Sequence, residues 1–231
     1  MVKIPAFVLT FLLGVSAVLS QDCNNGYFAF KKGTKMQLTS YDKKDKIMAT
    51  ANYELKDSKA ESGGFNYVFG SETYDAKGNL LAKADVNAQC ANGEFRTDVR
   101  NLSSDMTPKT TGMEVIVSGD QLTYPQLLTV GQKLKDAAIT VKFSMKDLGM
   151  NIMNTTFNIT DRKVEGFESV ETPVGKFDCV KISYVTSFRL MGNRTTKSVE
   201  YLAKGVGMVK SEQFDDKDRK QSSMLLTKLE K

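Results

Sequence analysis

The sequence predicts a mainly β protein: a strongly curved antiparallel meander sheet, half-barrel or barrel-like, with few short helices. Three observations carry this prediction. Apolar residues recur with a period of two, the runs are separated by short turn signals, and no stretch of comparable length shows a helical stripe. About ten strands with one apolar face and little helix to cover it must curl or fold into two layers.

The elements follow in chain order. Met36 and Leu38 open the first one-sided run, and the turn YDKKDK (41–46) leads to Ile47, Ala49, Ala51, Tyr53 and Leu55 on one face of the next. Phe65, Tyr67 and Phe69 make a further one-sided run, and YDAKGN (74–79) turns the chain into the run Leu80 to Ala88. Met113, Val115 and Val117 make a further strand, and Ile139, Val141, Phe143 and Met145 alternate with Thr140, Lys142 and Ser144. Met153, Phe157 and Ile159 come next. Residues 164–171 and 176–189, on either side of TPVGK (172–176), form one long hairpin, continued by 198–202, 207–214 and 221–229. A turn or two of helix is left open around Tyr124–Leu128 and Ser104–Met106. The resemblance among the turns YDKKDK, YDAKGN and FDDKDRK is assigned to shared hairpin chemistry.

The chain opens MVKIPAFVLTFLLGVSAVLSQDC: one basic residue, an apolar run from Ile4 to Leu19, and small residues near its end. This is the pattern of a secretory signal peptide over residues 1–20, cut after Ser20, followed by a single exported domain over 21–231. The expected location is the periplasm or cell surface, with no transmembrane anchor in the mature chain.

Composition excludes more than it assigns. There is no histidine and no tryptophan. Without histidine the usual general base near neutral pH, the Ser/His/Asp and Cys/His arrangements and the commonest zinc site are all missing, so no enzyme and no cofactor are expected. The net charge of +5 arises from 32 basic and 27 acidic residues that are interleaved rather than clustered. No nucleic-acid partner is expected from such a surface.

Three cysteines, Cys23, Cys90 and Cys179, would enter an oxidising compartment. Cys23 with Cys90 is the favoured disulfide, because the mature N-terminus gains most from a clamp and Cys90 ends a strand just before the Asn92-Gly93 turn. Cys179 is then a free thiol. Its strand places it with Phe177, Lys181 and Ser183, opposite Val180, Ile182 and Tyr184, and no histidine is present to activate it.

The candidate site is the apolar concave face, with Met36, Leu38, Ile47, Tyr53, Phe65, Tyr67, Phe69, Val141, Phe143 and Phe157 as its lining. Two readings stand side by side. The face is a groove for a hydrophobic small molecule, an acyl lipid or an envelope partner, or it is the solid core of a structural or adaptor protein.

The stretches KVEGFESVETPVGKFDCVKISY (163–184), YLAKGVGMVKSEQFDDKDR (201–219) and the terminal LLTKLEK resemble the TapB-like exported proteins of diderm bacteria, a family without assigned activity. The likeness extends to CNNGYFAFKKGTKMQLTSYDKKDK and LTYPQLLTVGQKLKDAAI (122–139). It implies a β-rich periplasmic or surface domain, similar in outline to half-barrel lipoprotein carriers that hold acyl chains in an apolar cavity roofed by helices. It carries no catalytic residues to this chain.

Overall fold

The computed structural model describes residue 23 and residues 26–61, 63–98, 113–145, 150–189 and 192–231. The expected leader and its cut after Ser20, and the turn considered at Ser104–Met106, lie outside these residues. The described chain forms thirteen strands: β1 (Lys35–Asp42), β2 (Ile47–Glu61), β3 (Gly64–Asp75), β4 (Leu80–Ala91), β5 (Glu94–Asp98), β6 (Met113–Gly119), β7 (Leu122–Pro125), β8 (Ala137–Met145), β9 (Met150–Thr172), β10 (Gly175–Arg189), β11 (Asn193–Ala203), β12 (Gly207–Phe214) and β13 (Lys220–Glu230). All belong to one antiparallel sheet in the order β6-β8-β9-β10-β11-β12-β13-β1-β2-β3-β4-β5-β7.

That order explains the curvature. β6 and β7 are the two edges of the sheet, yet only Asp120 and Gln121 separate them in sequence. Laid flat at about 4.8 Å per strand, thirteen strands would hold their edges about 58 Å apart. A two-residue link spans roughly 11 Å at most. The sheet therefore curls into a half-barrel whose edges meet at the Gly119–Leu122 corner, the curved antiparallel form the sequence predicts. Tyr124, considered for a helical turn, instead lies in edge strand β7.

Hairpin chemistry sets the register. In each of three loops a leading aspartate accepts two backbone N–H bonds with one oxygen: Asp42 from Lys44 and Lys46, Asp75 from Lys77 and Asn79, Asp215 from Lys217 and Arg219. The fourth residue of each loop, Asp45, Gly78 or Asp218, takes a left-handed backbone with φ of 57°, 85° and 57°. These are three-residue hairpin loops with a bulge, repeated because the turn demands the same residues. N–H donors hold the three carboxyls below the usual range; for Asp215, at about 2, the Arg219 guanidinium is the main cause and the backbone N–H groups add to it.

The interior is filled from one end. Leu55, Tyr67, Phe69, Ala88, Cys90, Phe95 and Tyr124 meet Val164, Val180, Ile182 and Leu202 across the curl. The segment Gly26–Phe30 enters this space: Phe28 stacks on Phe95 at 4.0 Å between centroids, and Phe30 meets Phe69 edge-on at 5.1 Å. Backbone bonds from Gly205 to Gly26 and from Gly207 to Tyr27 fix the segment against the β11–β12 turn. Cys23 and Cys90 form a disulfide, with Cα atoms 6.0 Å apart. A second cluster collects Leu38, Val170, Cys179, Tyr201, Ala203, Val206, Val209 and Leu226.

The ten residues expected to line one cavity are thus divided. Phe65, Tyr67 and Phe69 belong to the packed interior, and Leu38 to the second cluster. Met36 and Tyr53 border a depression of ≈ 370 Å³ that also has Lys35, Lys56, Glu72 and Lys83 in its rim. Val141, Phe143 and Phe157 are half-buried at the β6–β10 end, where Phe157 meets Phe188 at 5.0 Å. Ile47 corrects the expectation outright: at 51% exposure it stands in solvent, because it directly follows the Asp42–Lys46 loop at the tip of a hairpin.

Candidate functional site

The seam where the two sheet edges approach is built around a buried arginine. β9 runs without a break past the sequence TDRK, but Asp161 takes φ of 55°, Val185 pairs with Thr160, and Ser183 pairs with Lys163. Tyr184 therefore faces both Asp161 and Arg162. This is a β-bulge, which changes where the following side chain points. Arg162, 2% exposed, lies on the interior side with Val164.

Arg162 ties the seam together. Its Nη1 donates to the carbonyls of Thr123 at 3.2 Å and Lys135 at 2.7 Å, the two flanks of the β7–β8 connection. The guanidinium also lies 4.8 Å from the centroid of the Tyr124 ring. The Tyr124 hydroxyl donates across the interior to Oε2 of Glu200 at 3.3 Å. Main-chain bonds continue the closure: Gly131 N–H to Val164, Val164 N–H to Gln132, and Leu134 N–H to Arg162.

The cluster is incompletely paired. Arg162 Nη2 and Glu200 Oε1 are buried and make no hydrogen bond among the described residues. Burial pushes the Glu200 carboxyl up to about 7, against the pull of Arg162 and the Tyr124 hydroxyl. Tyr124 is raised by burial and by the neighbouring Glu200, and Tyr184, which meets the Ser198 hydroxyl, is raised for the same two reasons. A buried charged group without full pairing is costly, so this arrangement departs from ordinary core design.

Beside the seam, the connection after β7 forms one wall of a cleft of ≈ 780 Å³. Gln126, Leu127 and Leu128 face it from the connection, Phe167 and Ser169 from β9, Phe177 and Cys179 from β10, with Tyr27 from the entering segment. Leu127 and Phe167 are 61% and 60% exposed. These two side chains thus give the cleft an apolar surface open to solvent. Lys176 and Lys204 also border it, together with Glu168 and Asp178.

Gln126 anchors the wall from below, donating to Cys90 Sγ at 3.2 Å. Cys179 is buried and free, its Sγ donating to the Phe177 carbonyl at 3.4 Å. Burial, with the acids Asp178 and Glu168 nearby, pushes this thiol up to about 11. It is protonated at neutral pH, which removes the form that acts as a nucleophile.

Sequence reading alone missed the seam and the cleft. Neither Arg162 nor Glu200 was expected to matter. The signal was present, since Glu200 shares a face with Leu202 and Ser198, an inward charge in an otherwise apolar and small row.

Fold and site together define a curled antiparallel half-barrel with a packed interior and, beside its seam, a cleft lined by both apolar and charged side chains. The chain belongs to the DUF3108-like family, whose model matches residues 31–226. It is similar in structure to a candidate exported protein with a YmcC-like fold from Bacteroides fragilis: TM-score 0.75, 21% identity, covering 90% of this chain and 100% of that one. A candidate lipoprotein from Parabacteroides distasonis gives a TM-score of 0.74 at 24% identity, covering 89% of this chain and 99% of that one. No curated protein is detectably similar to the chain.

Proposed function

We propose that the protein is a non-catalytic component of the cell envelope, exported across the inner membrane, which holds the apolar part of a hydrophobic small molecule or acyl lipid in the cleft beside the seam. One observation carries the reading: Leu127 and Phe167, each about three-fifths exposed, stand in the walls of a cleft of ≈ 780 Å³. That volume is within the range of small-molecule sites, and the lining sets Leu127, Leu128, Phe167 and Phe177 beside the charged groups of Glu168, Lys176, Asp178 and Lys204. Export is supported by the leader-like first twenty residues, by the disulfide, and by the names of the two structural neighbours. The finer TapB-like resemblance rests on residues 163–184 and 201–219 and adds no activity. The non-catalytic reading is supported by the absence of histidine and by the protonated Cys179.

The test is organic extraction of the purified protein with mass spectrometry, followed by titration with a fluorescent polyene fatty acid. Wild type is expected to carry acyl species or to bind the probe, and Phe167→Ser with Leu127→Ser to weaken binding at least tenfold. Clean wild type that leaves the probe unbound would end this reading. It would favour the second one, an adaptor with a solid core, for which the stacked rings of Phe28 and Phe95 speak. A panel of ester, peptide and glycoside substrates tests the absence of catalysis, and reproducible turnover would refute it.

A further inference from the structure

The side-chain bonds that tie the two ends of the cleft wall to β9 and β11 converge on one buried polar cluster, while main-chain bonds at Gly131, Gln132 and Leu134 join its middle to β9. The wall is the Thr123–Lys135 segment. Tyr124 bonds to Glu200 on β11, and both Thr123 and Lys135 accept from Arg162 on β9. Among the described pairings, β6 and β7 are not hydrogen-bonded to each other, so no main-chain ladder locks the two edges. The closure combines the main-chain bonds to β9 with a side-chain cluster whose unpaired atoms, Glu200 Oε1 and Arg162 Nη2, are buried.

We propose that Tyr124, Arg162 and Glu200 form a pH-sensitive latch that loosens the Thr123–Lys135 wall when Glu200 ionises. The proposal names the regulation of the cleft and takes its functional meaning from the ligand reading above. Closing the seam removes Glu200 from water. Opening it hydrates the carboxylate, so an ionised Glu200 favours the open form over the closed one. The titratable or charged groups facing Glu200 are Tyr124 from β7, Arg162 from β9 and Tyr184 from β10. Arg162 and the Tyr124 hydroxyl oppose the effect of burial without cancelling it, since the carboxyl remains displaced from 4.5 to about 7. Linkage then sets the size of the shift. Over the whole titration the open-to-closed ratio rises by roughly 300-fold, the antilogarithm of that displacement, of which about 75-fold falls between pH 5 and 8.5.

Hydrogen exchange of the full, ligand-free protein, read by mass spectrometry from pH 5.5 to 8.5 and corrected for intrinsic rates, tests this. The reporters are the amides of Gly131 and Leu134, bonded to Val164 and Arg162, and the reference is the β1–β13 pair. Wild type is expected to lose up to about thirtyfold protection at the reporters relative to the reference as pH rises. Glu200→Gln should show a flat ratio, and Tyr124→Phe, which removes a bond that favours the carboxylate, should move the loss to higher pH. A flat wild-type ratio, or an undiminished fall in Glu200→Gln, overturns the latch; if Glu200→Gln fails to fold, an unmoved transition in Tyr124→Phe does the same. Because no ligand enters the measurement, a latch that opens around a cleft binding nothing refutes only the ligand reading.

Discussion

Removal of the Cys23–Cys90 disulfide gives the largest stability change that can be worked out from chain geometry. The bond closes a loop with a sequence separation of 67 and pins the Gly26–Phe30 segment beside the aromatic interior. Closing such a loop in the unfolded chain restricts its entropy by about 15 cal/mol/K, equivalent to about 4.4 kcal/mol at 25 °C. Cys23→Ala with Cys90→Ala adds a packing loss, because both residues are buried, at 2% and 1% exposure. Each kilocalorie moves the midpoint by roughly 2–4 °C in a domain of this size, so thermal unfolding should shift down by roughly 9–17 °C. The assay is urea unfolding followed by circular dichroism. The double variant should show a lower midpoint and a steeper m-value, because its unfolded ensemble is less compact. Cys179→Ser serves as the control, since that thiol closes no loop. A loss below about 1 kcal/mol with unchanged m would refute the reasoning, because the clamp would then restrict nothing in the unfolded chain.

Further predictions concern charge, corners and turns. Glu200 is raised from 4.5 to about 7, so the folded state binds more protons than the unfolded state between those values, and stability falls as pH rises through them. The loss is about 3 kcal/mol, complete above pH 7 and absent below pH 4.5, and Glu200→Gln should remove that slope in denaturant unfolding at pH 5 and 8. Gly119 has φ of 111°, and a Cβ there would lie 2.2 Å from the Ala138 carbonyl oxygen. Gly119→Ala should cost at least about 2 kcal/mol in urea unfolding, whereas Gly166→Ala, with nothing within 4 Å, should change little. Asp218 has φ of 57° in its hairpin loop, so Asp218→Ala should be about 1 kcal/mol less stable than Asp218→Gly. Both variants lose the ion pair to Lys197, which cancels in the comparison.

Much of the architecture was legible because its physics is local. The period-two runs and the aspartate-led loops fix strand and turn together, and they recur wherever the same chemistry is needed. β9 was read as two runs parted by TDRK. The bulge at Asp161 keeps it a single strand, an effect of pairing with β10 rather than of residue pattern. β5 and β7 were not foreseen, since each is short and owes its form to a neighbour in the sheet. The cavity expectation failed in part for a related reason. Alternation shows which side chains leave the solvent, but not what meets them, and here Tyr27, Phe28 and Phe30 arrive from a segment with no periodicity of its own.

The strands nearest the two ends of the chain, β1 and β13, lie side by side in the middle of the sheet, with Lys35 opposite Glu230. During synthesis the first of these must wait for the last. The hairpins on either side can assemble early from nearby residues, but they remain two separate fragments until the final strand arrives. Folding should therefore be slow and late in its decisive step, as expected when contacts join distant parts of a chain. A nascent or translocating chain would expose two raw strand edges throughout that interval, a window in which chaperones could act.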